Sequence, residues 1–117
     1  MNHNFLHSIK PFIGTTVTVT IDRPLGSKHP EWKFTYLCNY GYVDGIQAPD
    51  GECVDAYVLL VDKPMKTCTG KVVAIVHRKN DDDDKLVVIP TDAEISDTMI
   101  ESAIYFQEQW FEHMLVK

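Results

Sequence analysis

The sequence predicts a mainly β protein, a small antiparallel barrel with one C-terminal α-helix packed on it. Three observations support this fold class. The stretch Thr15–Ile21 alternates threonine with apolar β-branched residues, which is typical of a strand. Further apolar segments of strand length are separated by turn residues, and after Ser96 the apolar period becomes helical. The 117 residues suffice for one hydrophobic core, so 1–117 is expected to be a single domain.

Composition and charge exclude several classes of protein. No apolar stretch approaches the roughly 20 residues that span a membrane, and the N-terminus does not resemble a secretory signal, so a cytoplasmic protein without a membrane partner is expected. The three cysteines include no C-x-x-C pair, which fits a reducing compartment. A formal net charge of −6 disfavours a nucleic-acid partner and suits a protein that recruits divalent cations.

The first part of the chain leads into the barrel. Residues 1–13 show no clear period and are expected to be an ordered lead-in or a frayed end. In the first strand, the apolar residues of the alternating pattern are expected to face the core, namely Val17, Val19 and Ile21. The following stretch, 22–31, holds two prolines and a Gly-Ser pair and is predicted to be a loop that carries the cations Arg23 and Lys28. Short strands are predicted over Trp32–Tyr36 and Tyr40–Val43.

A longer strand is predicted over Cys53–Val61. The residues expected to fill the core on one face are Val54, Ala56, Val58 and Leu60. Asp55 then shares the other face with Tyr57. A carboxylate buried on such a strand is costly unless it is paired or coordinated, so Asp55 is expected at the solvated mouth of the barrel.

Two more strands, Lys71–Lys79 and Lys85–Ile89, are predicted to form an antiparallel pair joined by the acidic loop Asn80–Asp84. Runs of aspartate are usually solvated loop tips, so this loop alone is a weak signal of a metal site. The adjacent residues His77 and Arg78 are interpreted as part of a strand edge and not as an acid–base pair.

A C-terminal helix is predicted from about Ser96 to Leu115, where apolar residues recur at i, i+3, i+4 and i+7. Its start admits two interpretations. Thr98 and Glu101 can form a capping box, while Ser96 and Asp97 are competing N-cap residues.

The acidic residues around the third predicted strand indicate a metal and phosphate site. Mg²⁺ binds one or two carboxylates together with waters and substrate phosphates. Asp50 lies in a P-D-G turn and Asp55 one strand entry later, so both can converge on one ion. Turn chemistry alone would account for Asp50 but not for Asp55. Lys85 can reach a phosphate held nearby, although charge balance is the simpler interpretation, and the Tyr40 phenol can donate to a phosphate oxygen.

These residues also carry a resemblance to a known family. The stretches Asn39–Val43 (NYGYV), Asp50–Asp55 (DGECVD) and Asp83–Val87 (DDKLV), followed by Pro90, occur in the order and at about the spacing of soluble family I inorganic pyrophosphatases. The similarity runs from roughly residue 16 to residue 90 and weakly into the helix. It implies an OB-like five-stranded barrel with a packed helix, and Mg²⁺-dependent hydrolysis of pyrophosphate to two phosphates.

The resemblance also implies roles for individual positions. The metal ligands would be Asp50, Asp55 and Asp83, with Asp81 as a further candidate. Glu52 stands where the family has an aspartate that orients or deprotonates the attacking water. Tyr40 and Lys85 match residues next to the metal and phosphate, and they are expected to act in both catalysis and substrate binding. Arg23 or Lys28 would supply a phosphate-binding cation from the N-terminal half.

Two departures from the family pattern bear on activity. Glu52 carries one methylene more than the aspartate it replaces, and a displacement of about 1 Å can cost roughly 100-fold in rate. Where the family has a Tyr-Lys pair that grips phosphate, this chain has Trp110-Phe111, with no cation. These aromatic residues are expected to be core residues of the helix, with an interface between copies of a homo-oligomer as the alternative.

Two other functions compete with pyrophosphate hydrolysis. Loss of the helix cation with retention of the carboxylates would suit a hydrolase of another phosphoanhydride, or a metal and phosphate binder with little turnover. An OB-type interaction module could use its aromatic residues to stack bases, but the acidic charge disfavours it.

Overall fold

The structure is a computed structural model, and it describes residues 3–47, 51–79 and 83–117. Two α-helices, one 3-10 helix and six strands lie in these ranges. The helices are α1 (His3–Ile9), the 3-10 helix Lys10–Phe12 and α2 (Asp97–Glu108). The strands are β1 (Thr16–Arg23), β2 (Asn39–Gln47), β3 (Cys53–Val58), β4 (Thr67–Arg78), β5 (Lys85–Ile89) and β6 (His113–Val116). Neither described α-helix is long and apolar enough to cross a membrane.

Five of these strands close into a barrel in the order β1-β2-β3-β5-β4, with β4 pairing back to β1. Neighbouring strands are antiparallel except β3 and β5, which run parallel because the β4–β5 hairpin places β5 between β3 and β4. Strands β1 and β2 approach closely. A Cβ on Gly41 would lie 1.9 Å from the carbonyl oxygen of Thr20, so only glycine fits there. The predicted OB-like barrel with a C-terminal helix is confirmed.

Strands β2, β3, β4 and β5 bury side chains on both faces, because alternating residues enter two different hydrophobic clusters, whereas β1 contributes to one cluster and exposes Thr16 and Thr18 on its other face. Inside the barrel, Val54, Ala56 and Val58 pack with Phe5 and Ile9 of α1, so the described N-terminal segment is an ordered part of the core. On the outer face, α2 covers the second cluster, which includes Tyr57, Leu59, Val87, Ile89, Ile100, Ile104 and Phe106.

The third strand is shorter than predicted. β3 ends at Val58, and Leu60 adopts a positive φ of 64° with 46% of its surface exposed. The prediction of Leu60 as a core residue is therefore wrong, because the chain has turned out of the strand before this position.

The predicted strand Trp32–Tyr36 is also wrong. Within this stretch Trp32 lies in a turn, Thr35 makes one isolated bridge with Lys28, and the Tyr36 N–H donates to the Ser27 carbonyl at 2.8 Å. The ring nitrogen Nδ1 of His29 accepts a hydrogen bond from the Trp32 backbone N–H at 3.1 Å. Local bonds of this kind satisfy the backbone without a sheet neighbour.

The C-terminal helix begins as one of the predicted alternatives but ends early. Ser96 is the N-cap, since its hydroxyl accepts a hydrogen bond from the Met99 N–H at 3.2 Å. α2 ends at Glu108, and the last residues form β6 against the end of β4. The prediction of a helix up to Leu115 is wrong because strand pairing with β4 competes successfully with helical continuation.

Asn39 fixes two loops against the start of β2. It is fully buried, and its Oδ1 accepts hydrogen bonds from the N–H groups of Leu25 (3.0 Å) and Met65 (3.1 Å). Its Nδ2 donates to the carbonyl of Lys63 at 2.9 Å. The loop that contains Leu25 begins directly after Arg23, the last residue of β1. By fixing this loop, Asn39 helps to position Arg23, which lines the cleft described below.

Candidate active site

Asp55 lies at the centre of an ionic cluster, as its place in an apolar strand predicts. Its Oδ2 accepts a hydrogen bond from the Tyr40 hydroxyl at 2.9 Å and contacts the Lys85 ammonium at 3.2 Å. The sheet sets this arrangement, because Lys85 is the register partner of Asp55 in the parallel β3–β5 pair. Burial, and next the charge of Asp55, raise the pKa of Tyr40 well above its usual value. The phenol therefore remains protonated and can donate.

Lys85 joins a second carboxylate to the first. Its Nζ lies 3.2 Å from Oδ1 of Asp83, while its own side chain is 2% exposed. Asp55 and Asp83 are 36% and 50% exposed and open to solvent. The buried Lys85 ammonium thus keeps the solvent-accessible carboxylates of Asp55 and Asp83 close to each other.

The donors of this cluster fit Mg²⁺, a hard cation that takes oxygen ligands. Asp55 and Asp83 supply carboxylate oxygens to a common position, and the number of protein ligands that Mg²⁺ needs is small. The described residues contain no larger group of three or more metal-ligating side chains. Asp50 and Asp81, the other two predicted ligands, lie outside the described residues.

The remaining predicted residues are dispersed. Arg23 lines the same cleft as Asp55. Lys28 is exposed, stands outside the residues that line the cleft, and pairs its backbone with the neighbouring loop. Glu52 is exposed and is likewise absent from the described lining. Asp22, which sequence reasoning missed, does line the cleft; burial raises its pKa, Arg23 opposes that change, and Asp55 adds to it.

Arg78 and Glu108 form a buried ion pair that sequence reasoning also missed. Glu108 is fully buried on α2, and its two oxygens accept from Arg78 Nε at 3.0 Å and Nη2 at 2.7 Å. The Arg78 guanidinium carbon lies 3.7 Å from the centre of the Phe111 ring, and Nη1 lies 3.3 Å from Asp83. Arg78 is therefore no strand-edge residue. It brings a second cation to the carboxylates.

The environment keeps this pair charged. Burial alone would raise the pKa of Glu108, but the hydrogen bonds and charge of Arg78 outweigh it, and the pKa is lowered. The Tyr57 hydroxyl also donates to Glu108 at 2.5 Å, and Gln107 Nε2 donates to that hydroxyl at 2.8 Å. A signal was available in the sequence, because Glu108 follows Ile104 by four positions on the apolar stripe of the helix, where a carboxylate needs a partner.

These residues line one cleft of about 780 Å³ with two chemically different ends. The ionic end holds Asp22, Arg23, Asp55, Arg78, Asp83 and Lys85. The aromatic end holds His29, Trp32, Phe34 and Trp110. Trp110 is 61% exposed and Phe111 is 40% exposed, so the prediction that they are core residues is wrong. They follow the end of α2 and face the cleft.

The fold and the ionic end together define a class: a small OB-like barrel that gathers carboxylates and cations at one mouth, as an enzyme acting on phosphate groups would require. The model of the inorganic pyrophosphatase family matches residues 16–115. The chain belongs to that family, and the resemblance seen in its motifs is confirmed. The predicted activity, hydrolysis of inorganic pyrophosphate, is confirmed at the level of the family.

Solved structures of similar fold are inorganic pyrophosphatases of bacteria. The Ehrlichia chaffeensis enzyme matches with a TM-score of 0.65 and 16% identity over 86% of this chain and 84% of that one. The Helicobacter pylori enzyme matches with a TM-score of 0.62 and 19% identity over 81% and 75%. The Thermus thermophilus enzyme matches with a TM-score of 0.61 and 15% identity over 87% and 80%. At these identities the similarity concerns the fold. No curated protein matches the chain.

Proposed function

We propose that the ionic end of the cleft hydrolyses pyrophosphate with Mg²⁺ held by Asp55 and Asp83. The observation that carries this proposal is the position of Lys85, whose buried ammonium contacts both carboxylates at 3.2 Å. Two acidic groups and a cation at one point provide opposite charges for a metal and for a phosphate. Asp50 and Asp81, outside the described residues, are proposed as further ligands from the family resemblance.

Bound Mg²⁺ would neutralise phosphate charge and lower the pKa of a water molecule. The protein's own groups have a different task, which is to bind and orient the substrate. Lys85 is proposed to move one of its hydrogen bonds from a carboxylate to a phosphate oxygen. The Tyr40 hydroxyl, which donates to Asp55 at 2.9 Å, is proposed to donate to a phosphate oxygen from the same side.

Arg78 is proposed to supply the cation that Trp110-Phe111 lacks. Glu108 and the Phe111 ring hold the guanidinium in one orientation, with Nη1 directed at Asp83 in the cleft. If Asp83 bound Mg²⁺, its attraction for Arg78 would weaken, and the Nη1 side of the guanidinium could then donate to a phosphate oxygen. A positioned guanidinium of this kind stabilises charge that develops on the leaving phosphate.

Glu52 is proposed as the residue that orients or deprotonates the attacking water, and Arg23 as a phosphate contact from β1. The support for Arg23 is its place in the cleft lining beside Asp22. The role proposed for Glu52 is supported by the family resemblance, and Glu52→Asp tests this role directly. If the extra methylene misplaces the carboxylate, Glu52→Asp will raise kcat. A fall in kcat would show that the longer side chain suits this site.

The central experiment measures phosphate release from pyrophosphate across a Mg²⁺ titration, together with calorimetric Mg²⁺ binding. Loss of a group that only supports a ligand costs about 10- to 100-fold. Asp55→Asn and Asp83→Asn are therefore expected to lose roughly 100-fold or more in activity and to weaken Mg²⁺ binding. Asp62→Asn, at an exposed aspartate away from the cleft, is the matched control. Wild-type activity in Asp55→Asn would refute the proposal.

The proposal also covers the setting of the enzyme. We place it in the cytoplasm as a single domain of residues 1–117, with pyrophosphate as its small-molecule partner and no nucleic-acid partner. The net charge of −6 supports the last point, since nucleic-acid affinity depends on neutralising phosphates with cations. Homo-oligomer formation remains a prediction from the family.

A further inference from the structure

The aromatic end of the cleft exposes unusually large apolar side chains. Trp32 is 70% exposed and Trp110 is 61% exposed, and these are the two tryptophans of the chain. The centre of the Phe34 ring lies 5.6 Å from that of Trp110 and 5.0 Å from that of His29. Contiguous exposed apolar surface of this kind is typical of ligand-binding grooves and interaction sites.

This end is built on ordered backbone. The His29 ring fixes the turn that carries Trp32, through a 3.1 Å hydrogen bond to its N–H. Trp110 follows directly on α2, whose last residue Glu108 is bound to Arg78. A hydrogen bond within the turn and an ion pair at the end of α2 therefore fix the backbone beside the two indole rings that line this cleft.

The aromatic and ionic ends belong to one continuous space. Tyr40, which donates to Asp55, lies 5.4 Å from Tyr36 between ring centres, and Tyr36 lies 5.4 Å from Phe34. A continuous series of ring contacts thus connects Tyr40, at the Asp55 carboxylate, with Trp110. The cleft volume of about 780 Å³ is in the range of about 300–1,000 Å³ that holds drug-sized ligands, well beyond the size of pyrophosphate.

We infer that the cleft also takes a nucleoside diphosphate, in which pyrophosphate is esterified to a sugar that carries a planar base, and hydrolyses its phosphoanhydride bond. The terminal phosphate would lie at the ionic end and the base would stack at the aromatic end. This inference rests on the proposed function. It explains why Trp110-Phe111 stands where the family resemblance puts a phosphate-gripping Tyr-Lys pair, since stacking rings replace donors on that side.

The reaction balances without a further reactant. The oxygen of a water molecule forms a bond to the terminal phosphorus, and the bond from that phosphorus to the bridging oxygen breaks. The electron pair of the broken bond stays on the bridging oxygen, which leaves as part of the nucleoside monophosphate. One proton of the water stays on the inorganic phosphate and the other passes to solvent. Nothing is oxidised or reduced, and the products are a nucleoside monophosphate and inorganic phosphate.

The first test compares kcat/KM for ADP with that for pyrophosphate, both with Mg²⁺. Base stacking on an aromatic side chain is worth roughly 5- to 150-fold in binding. Trp110→Leu and Trp32→Leu, taken singly, are expected to lower the ratio of ADP to pyrophosphate kcat/KM by about tenfold in at least one of the two. Tyr105→Leu removes an equally exposed ring (62%) on α2 outside the cleft lining and is expected to leave the ratio unchanged.

The second test is direct binding. Because both tryptophans lie at the aromatic end, intrinsic tryptophan fluorescence reports on that end alone. The non-hydrolysable α,β-methylene analogue of ADP is expected to quench it, and methylenediphosphonate to quench it much less.

The outcomes separate the two proposals. Pyrophosphate turnover without ADP turnover or quenching would overturn the inference and leave the proposed function standing. Tryptophan fluorescence that does not respond to the ADP analogue but changes with protein concentration would also overturn the inference. It would indicate that a second copy of the chain covers the aromatic end. No turnover of either substrate by the folded protein would refute the proposed function itself.

Discussion

Replacement of Glu108 by glutamine tests how much the buried ion pair contributes to the stability of the fold and to the site. Glu108 is fully buried and accepts two hydrogen bonds from Arg78 and one from Tyr57. Glutamine keeps the shape but removes the charge and turns an amide donor toward groups that are themselves donors. Arg78 then retains a partner charge at Asp83, which is half exposed.

The expected loss can be given a magnitude. Breaking a buried ion pair by removing one partner costs about 3–5 kcal/mol. Because Asp83 still contacts Arg78, we take the lower end, about 3 kcal/mol in the free energy of unfolding. With a urea m-value of about 1.5 kcal/mol/M, the unfolding midpoint falls by about 2 M. A typical domain is stable by about 5–15 kcal/mol, so the variant should still fold.

The loss also has a pH dependence whose sign follows from the lowered pKa of Glu108. A carboxyl whose pKa is lower in the folded state stabilises the protein above its unfolded pKa of 4.5, and this contribution disappears as the pH falls through the folded value. The gap between wild type and Glu108→Gln should therefore be full at neutral pH and should shrink below about pH 4.5.

The assay is urea unfolding followed by circular dichroism, with phosphate release measured on the same samples. Glu94→Gln, at an exposed glutamate, is the control and should stay within about 0.5 kcal/mol of wild type. Arg78→Met with Glu108→Leu should be more stable than either single variant but should release phosphate more slowly than wild type, because the Arg78 cation is gone. A Glu108→Gln midpoint within about 0.5 M of wild type would refute the reasoning.

Three further predictions concern other parts of the barrel. Asn39→Leu removes three hydrogen bonds and leaves the partly buried backbone N–H groups of Leu25 and Met65 without this acceptor, at the lower end of about 1–3 kcal/mol each. Both stability and pyrophosphatase activity should therefore fall in paired unfolding and phosphate-release measurements. Gly41→Ala forces a methyl group against the Thr20 carbonyl and should cost about 3 kcal/mol or more; a thermal midpoint equal to that of wild type would contradict the packing described. Partial burial lowers the pKa of His113, but its hydrogen bond to Glu101 more than compensates and the pKa is raised above 6.5. Glu101→Gln should therefore destabilise by a few tenths of a kcal/mol at about pH 6, and the difference should vanish as the pH rises through the raised value.

The barrel could be predicted from the sequence because period-2 patterns act locally. Thr15–Ile21 and Lys85–Ile89 each form the expected strand, within a few residues at the ends. Asp55 could be singled out for the same reason, since a carboxylate within an apolar strand needs a partner. Its partner Lys85 depends on the register of a parallel pair, which no local pattern contains.

Two of the errors occur where tertiary contacts decide the local structure. The apolar residues after Glu108 fit a helical period, but Met114 and Leu115 pair with β4 as part of strand β6. The interpretation of Arg78 as part of a strand edge is wrong because its partner Glu108 lies thirty positions away on α2. In each case the deciding contact is distant in sequence, so spacing alone could not reveal it.

The parallel pairing of β3 with β5 also has a consequence for how the enzyme matures. Asp55 is synthesised well before Lys85, and the two meet only when β5 inserts between β3 and β4. Pairings between residues so far apart in sequence form slowly, because a long loop must close first. A nascent chain released as far as Lys79 would contain Asp55 and Arg78 but neither Asp83 nor Lys85. Pyrophosphatase activity should therefore return later than secondary structure during refolding. The time course of turnover would then report when β5 pairs with β3 and the barrel closes.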